Sequence, residues 1–196
     1  MNTKKLLAIL LAIVMLIGMM PMTALAADAT SGKCGENATW SYDTASGTLT
    51  ISGTGPINTG RWDMPWDAYR KEMKSVVIED GITRINDTAF IECGFTHISI
   101  PDSVTEIGAR AYESCTNMKE IDLPKITTIV SGTFYNCHSL QSITIPDTVT
   151  TIGEGCFYEC KALTEINIPA SVETIYFYGT LWDLNSLTAI NVDPDN

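Results

Sequence analysis

The chain holds six cysteines, two histidines and 23 acidic side chains, residue types that could build a metal site, a disulfide framework or a thiol nucleophile. Cys93, Cys115, Cys137 and Cys160 recur at steps of 22 or 23 residues. Repetition at that spacing predicts a line of sulfurs, whereas a structural zinc site needs a tetrahedron of ligands. An oxidising compartment would allow disulfides. Stacked side chains, however, run parallel instead of aiming at one another. Free thiols packed as small buried side chains are therefore expected, with ladder disulfides as the alternative. Cys34 and Cys156 fall outside this series. His97 and His138 occupy different positions in the pattern, so neither a shared metal nor a catalytic pair is expected. Asp102 and Asp147 follow prolines, where a carboxylate bonding its own turn explains them better than calcium does. Asn37-Ala-Thr39 and Asn86-Asp-Thr88 are glycosylation sequons, meaningful only in a eukaryotic host. No phosphate-binding glycine loop, H-E-x-x-H or nucleophile-elbow motif is present. The reading is a non-enzyme with no catalytic, cofactor or metal residues.

The elements that position these residues come from one pattern of 22–24 residues repeated five times. Ile82-Thr-Arg-Ile85, Val104-Thr-Glu-Ile107, Ile126-Thr-Thr-Ile129, Val149-Thr-Thr-Ile152 and Val172-Glu-Thr-Ile175 each precede an aromatic or Leu (Phe90, Tyr112, Phe134, Phe157, Leu181) and then Cys, or Leu184 in the last copy. Short apolar segments follow, from Ile98-Ser-Ile100 to Ile190-Asn-Val192, and Pro101, Pro124, Pro146 and Pro169 end four of them. A fixed period of this length predicts a solenoid in which each unit buries its apolar side against its neighbours. The apolar segments predict one parallel sheet with strands about 4.8 Å apart. Gly108 and Gly153 suggest turns that a side chain would hinder. Glu154–Cys160 suggests a short helical turn with Phe157 and Cys160 on one face.

Outside the repeats, Lys4 and Lys5, the apolar run Leu6–Met20 and Ala24-Leu25-Ala26 predict a secretory signal peptide over residues 1–26. Cleavage there removes two lysines and moves the formal charge from −11 to about −13. Such an acidic chain repels nucleic acid and anionic membranes. No membrane insertion is expected after cleavage. Residues 27–60 predict a β-hairpin cap, since Thr39–Tyr42 and Thr48–Ser52 alternate apolar and polar around the turn residues Asp43–Gly47. Trp40 and Ile51 would close the core. Residues 61–196 form the solenoid, an irregular first unit from Trp62 plus five repeats. The last repeat is degenerate, and no capping segment follows it, so the chain is also readable as the N-terminal part of a longer protein.

Ile-Pro-Asp-Ser-Val-Thr-Glu-Ile-Gly (100–108), Ile-Pro-Asp-Thr-Val-Thr-Thr-Ile-Gly (145–153), the Phe-x-x-Cys-x-x-Leu blocks and the hairpin Gly47–Gly55 resemble the BspA-like leucine-rich repeat proteins of bacterial and protist cell surfaces. The resemblance covers nearly all of the mature chain. It implies a leucine-rich-repeat arc with parallel strands on the concave side, short helical turns on the convex side, and secretion or surface display. It also implies adhesion, as for some members, and carries over no catalytic residue.

Strand side chains alternate, so the residues between the inward positions should face the concave side. One row contains His97, Glu120, Ser142 and Glu165, and the next contains Ser99, Asp122, Thr144 and Asn167. These eight residues are either a plain solvated face or a polar, mildly acidic face for binding an extracellular or host-surface protein. The rows hold no aromatic residue, the usual anchor of an interface, so weak multivalent contact fits them better than tight binding. The alternatives are a structural spacer, or a fragment of a larger surface protein or enzyme.

Overall fold

The computed structural model describes residues 29–58 and 64–195. The signal peptide expected over residues 1–26, and Trp62 at the start of the irregular unit, lie outside the described residues. The rest winds into a β-solenoid of about six turns with nearly no helix.

Each turn has three sides. The first is a parallel ladder made by β4 (Ser75–Ile78), β6 (His97–Ser99), β10 (Glu165–Ile168) and β12 (Ala189–Val192). The second ladder contains β5 (Ile82–Ile85), β7 (Glu106–Ile107), β8 (Thr128–Ile129), β9 (Thr151–Ile152) and β11 (Thr174–Ile175). The pattern Val/Ile-x-x-Ile places its outer apolar residues inward, and Ile82, Ile85, Val104, Ile107, Val149 and Ile152 are all buried. The third side is a run of turns that carries the aromatic and cysteine positions.

Neither ladder is continuous. Strand segments are expected at 121–123 and 143–145, but only a single bridge, Asp122 to Thr144, forms there. The second ladder also breaks between β7 and β8. Both breaks border a shortened corner. In three repeats the residue three after proline bonds back to it, as Val104 N–H does to Pro101 O. The corner Pro124-Lys125-Ile126 is one residue shorter, and Ile126 N–H reaches Pro124 O only two residues back, at 2.7 Å.

The third side differs from the expected helical turn. Among the described residues the one short helix is a 3-10 turn at Asp67–Tyr69. In the repeats, alternate N–H groups bond within the turn, as Ile91 to Thr88 O and Cys93 to Phe90 O. The intervening ones bond the next turn, as Phe90 to Ala111 O and Glu92 to Glu113 O, at 2.8 and 2.7 Å. A helix keeps its N–H groups inside one segment; here half of them form a third inter-turn ladder. Two positions per turn adopt positive φ to do this: Thr88 and Glu92, Arg110 and Ser114, Gly132 and Asn136, Gly155 and Glu159, Gly179 and Asp183. Gly108 and Gly153 are not among the positive-φ residues, so backbone freedom is not their role. A Cβ on Gly108 would sit 2.4 Å from Asp87 N, and one on Gly153 2.7 Å from Ser131 N; glycine permits close approach of adjacent turns.

The core is two columns. Trp66, Phe90, Tyr112, Phe134 and Phe157 stack with ring centroids 5.7–5.8 Å apart and interplanar angles of 18° or less. Trp66 therefore holds the aromatic place in the irregular first unit. Beside it, Cys93, Cys115, Cys137 and Cys160 are buried and unbridged. The thiols of the last three donate to the carbonyls of Phe90, Tyr112 and Phe134 at 3.0–3.2 Å. Each thiol thus adds a second hydrogen bond to a buried carbonyl of the preceding turn that already accepts a backbone N–H.

At the N-terminal end β1 (Ser31–Lys33) pairs with β2 (Asn37–Asp43), which forms a hairpin with β3 (Thr48–Pro56). The first half of β3 pairs with β4 and its end pairs with β5, so one strand serves both ladders. Gly53 and Gly55, with φ of 103° and 85°, bend it between them. Trp40 packs edge-on to Trp66 at 6.2 Å, and Ile51 is fully buried. In the last turn Ile190 and Val192 are exposed and Leu181 and Leu184 only partly buried.

Candidate binding surface

The eight residues singled out on the strand face are all exposed. The inward partners between them, Ile98, Ile121, Ile143 and Ile166, are buried, as alternation requires. Pairing aligns successive rungs of each row at its two ends, Ser75 with His97 and Val77 with Ser99, Glu165 with Ala189 and Asn167 with Asn191, and between them Asp122 bridges Thr144. Asn191 Nδ2 donates to Asn167 Oδ1 at 2.7 Å, which ties two rungs. A cavity of about 330 Å³ opens at the lower rungs, lined in part by Thr144, Asn167 and Asn191.

This face is acidic. Among the described residues no cation pairs with Glu120, Asp122 or Glu165; the ion pairs that form lie on other sides of the coil, as Lys71 with Glu92 at 3.0 Å and Arg84 with Glu106 at 3.5 Å. Exposed pairs of this kind contribute about 0–1 kcal/mol each, so they shape the field more than the stability. The two histidines stay apart in environment. His97 is exposed on β6, whereas His138 Nε2 meets Glu159 Oε2 at 3.1 Å on the turn side. Hydrogen bonds from His138 and Lys161 hold the Glu159 carboxyl below its ordinary value. No group of three or more His, Cys, Asp or Glu that could hold a metal occurs among the described residues. Burial raises the ladder thiols, Cys160 to about 12 and Cys115 and Cys137 well above the ordinary value, which keeps them protonated and inert.

The turn side holds a feature that the rows of strand residues did not reveal. Tyr135, Tyr158 and Trp182 each follow the core aromatic or its Leu replacement, and so form an outward column. The rings of Tyr135 and Tyr158 stack 4.7 Å apart, and Tyr178 lies 5.8 Å from Trp182. With Gly132, Gly155 and Gly179 they line a cavity of about 380 Å³. The signal in the sequence was the residue one place beyond the core aromatic, read across repeats 3 to 5.

Comparison with known proteins places the chain. The model of the BspA type leucine rich repeat region matches residues 68–180 in six copies. A leucine rich repeat protein of T. pallidum is 24% identical with a TM-score of 0.57, over 77% of this chain and 66% of that one. A leucine rich cell surface protein of Faecalibacterium prausnitzii is 24% identical with a TM-score of 0.53, over 86% of this chain and 56% of that one. The pneumococcal vaccine antigen PcpA is 17% identical with a TM-score of 0.58, over 85% and 50%. This chain thus spans two thirds or less of the length of these proteins, and at such identities the likeness is one of fold. No curated protein matches. With its six matched copies covering more than half of the sequence, the chain belongs to the BspA-type leucine-rich repeat family.

Proposed function

We propose that the chain is a non-enzymatic binding module, secreted or displayed at the cell surface, that adheres to an extracellular or host-surface protein through its strand face. The observation that carries this reading is the pair of exposed rows from His97 and Ser99 to Glu165 and Asn167, aligned by the repeat, in which, among the described residues, Glu120, Asp122 and Glu165 form no ion pair. A row of uncompensated carboxylates favours a basic surface on the partner. The expected signal peptide supports an extracellular site of action, as does likeness to a cell surface protein and a vaccine antigen. With no aromatic anchor on this face, each contact is weak and the useful strength comes from many copies acting together.

Beads coated with the chain from Ala27 onward test this against coats of extracellular matrix proteins. Dense coating is expected to give adherence that falls steeply as coating density is reduced, and that weakens with added salt. A folded sample that adheres to no coat at any density would leave a spacer as the better reading.

A further inference from the structure

The groove on the turn side has the form of a peptide site. Its floor is the glycine column Gly132, Gly155 and Gly179, with φ of 68°, 61° and 69°. The left-handed backbone does not by itself explain three glycines, because Thr88 and Arg110 hold the same place in earlier turns at φ 56° and 55°. What glycine adds is an open floor. At its upper end the Arg110 side chain lies over Gly132, where a Cβ would meet Arg110 Cγ at 2.9 Å. Below, ring edges come nearest: Tyr135 Cδ2 stands 3.7 Å from the Cβ place of Gly155, and Tyr158 Cδ2 3.6 Å from that of Gly179, where Gly155 Cα follows at 3.9 Å.

One wall is the column Tyr135, Tyr158 and Trp182. The other carries Ser131, Glu154 and Tyr178. Tyr178 and Trp182 are 75% and 57% exposed, and a contiguous exposed aromatic patch of this kind marks an interaction site. Tyr135 and Tyr158 face each other, so they offer edges outward, not open ring faces, and the Tyr158 hydroxyl bonds the Asp183 carboxylate. This disfavours a sugar, which would need a free face to stack on.

We propose that this groove binds a proline-rich segment in polyproline II conformation that carries a basic residue. Polyproline II has three residues per turn and about 3.1 Å rise, a period of about 9.3 Å, and its backbone carbonyls are unpaired. Two rungs of a parallel ladder spaced 4.7–4.9 Å come to about 9.5 Å, so two ligand residues three apart come level with Tyr135 and Trp182, the two rings of the column that lie two turns apart. Aromatic-lined grooves are an established way of reading such segments. The side-chain-free floor lets the ligand backbone sit low between the walls. Among the described residues Glu154 is exposed and in no ion pair, whereas Arg110 in the same groove is paired with Glu113 at 3.5 Å; Glu154, with the carboxylate of Asp183 beside Tyr158, supplies the charge that a flanking arginine or lysine would meet.

The test uses the chain from Ala27 onward and a synthetic decapeptide with two prolines three residues apart and one arginine, followed by titration calorimetry. Two control peptides replace the prolines by alanine, or the arginine by glutamate. The expected result is saturable binding of the first peptide, weakened about tenfold or more for either control. Gly155→Asn should weaken it by a similar factor while the protein stays folded, because the added Cβ has only an ordinary 3.7 Å contact and asparagine tolerates the left-handed backbone, as Asn136 does at φ 63°. Trp182→Ala, at an exposed position, provides a second variant that need not disturb folding. The strand-face variant Glu120→Lys/Asp122→Lys/Glu165→Lys should leave peptide binding intact, which separates this site from the adhesion face. No binding up to about 1 mM, binding indifferent to both groove variants, or binding of a β-linked oligosaccharide in place of the peptide would each overturn the proposal.

Discussion

Phe134 has an aromatic ring on both sides, Tyr112 at 5.7 Å and Phe157 at 5.8 Å, and is fully buried. Leu181 holds the equivalent place one turn beyond Phe157 and is only partly buried. Phe134→Ala should therefore destabilise by about 3–5 kcal/mol, and Leu181→Ala by clearly less, as read from paired melting curves. Equal shifts would count against the stacking order. The cysteines allow a second prediction. Burial pushes Cys156 and Cys160 up to about 12 and Cys34 to about 11, from 9.0. The unfolded chain releases these protons from about pH 9 while the folded chain holds them, so the stability they contribute is complete below that pH and is lost as pH rises toward 12. Melting temperature should fall through this window, and less steeply in Cys156→Ala; identical slopes would show that the thiols are not responsible. The role of these residues was legible because Leu184 stands at a cysteine place and the aromatic place repeats. The thiol-to-carbonyl bonds were not legible, since they join residues 25 or 26 apart across a turn.

The turn segments were the elements hardest to read. Phe157 and Cys160 do share the core, three residues apart, which a helical turn and the observed turn both satisfy. Only the destination of the N–H groups separates the two, and that depends on the neighbouring repeat. The hairpin was legible from alternation alone, but not that β3 would join both ladders, because the bend at Gly53 and Gly55 is a tertiary matter. Gly53→Ala should be strongly destabilising, since the added Cβ would lie 2.1 Å from Asn37 O at a φ of 103°. Trp40→Ala should cost about 3–5 kcal/mol by uncovering Trp66 and Tyr69, its neighbours at 6.2 and 6.4 Å. If the hairpin closes the end of the core, as we propose, denaturant melting of Trp40→Ala will shift to lower midpoint with the whole solenoid; an unchanged midpoint would mean that the hairpin is only an appendage.

For the molecule as a whole, the coil converts a repeated sequence into repeated surfaces. The strand face presents polar and acidic rows, and the turn face presents an aromatic groove over repeats 3 to 5. The rows were legible because strand alternation and the period together fix which side chains align. The groove was not, because a residue outside the apolar pattern reads as ordinary surface until its neighbours in the stack are known. The two faces lie on different sides of each turn, so their variants report independently. The central claim is adhesion through the strand face. Its most direct test is surface-plasmon binding of the chain from Ala27 to a panel of immobilised extracellular proteins, beside Glu120→Lys/Asp122→Lys/Glu165→Lys with matched melting. Saturable binding that disappears in the variant is the result this account predicts; binding of equal strength by both proteins would contradict it.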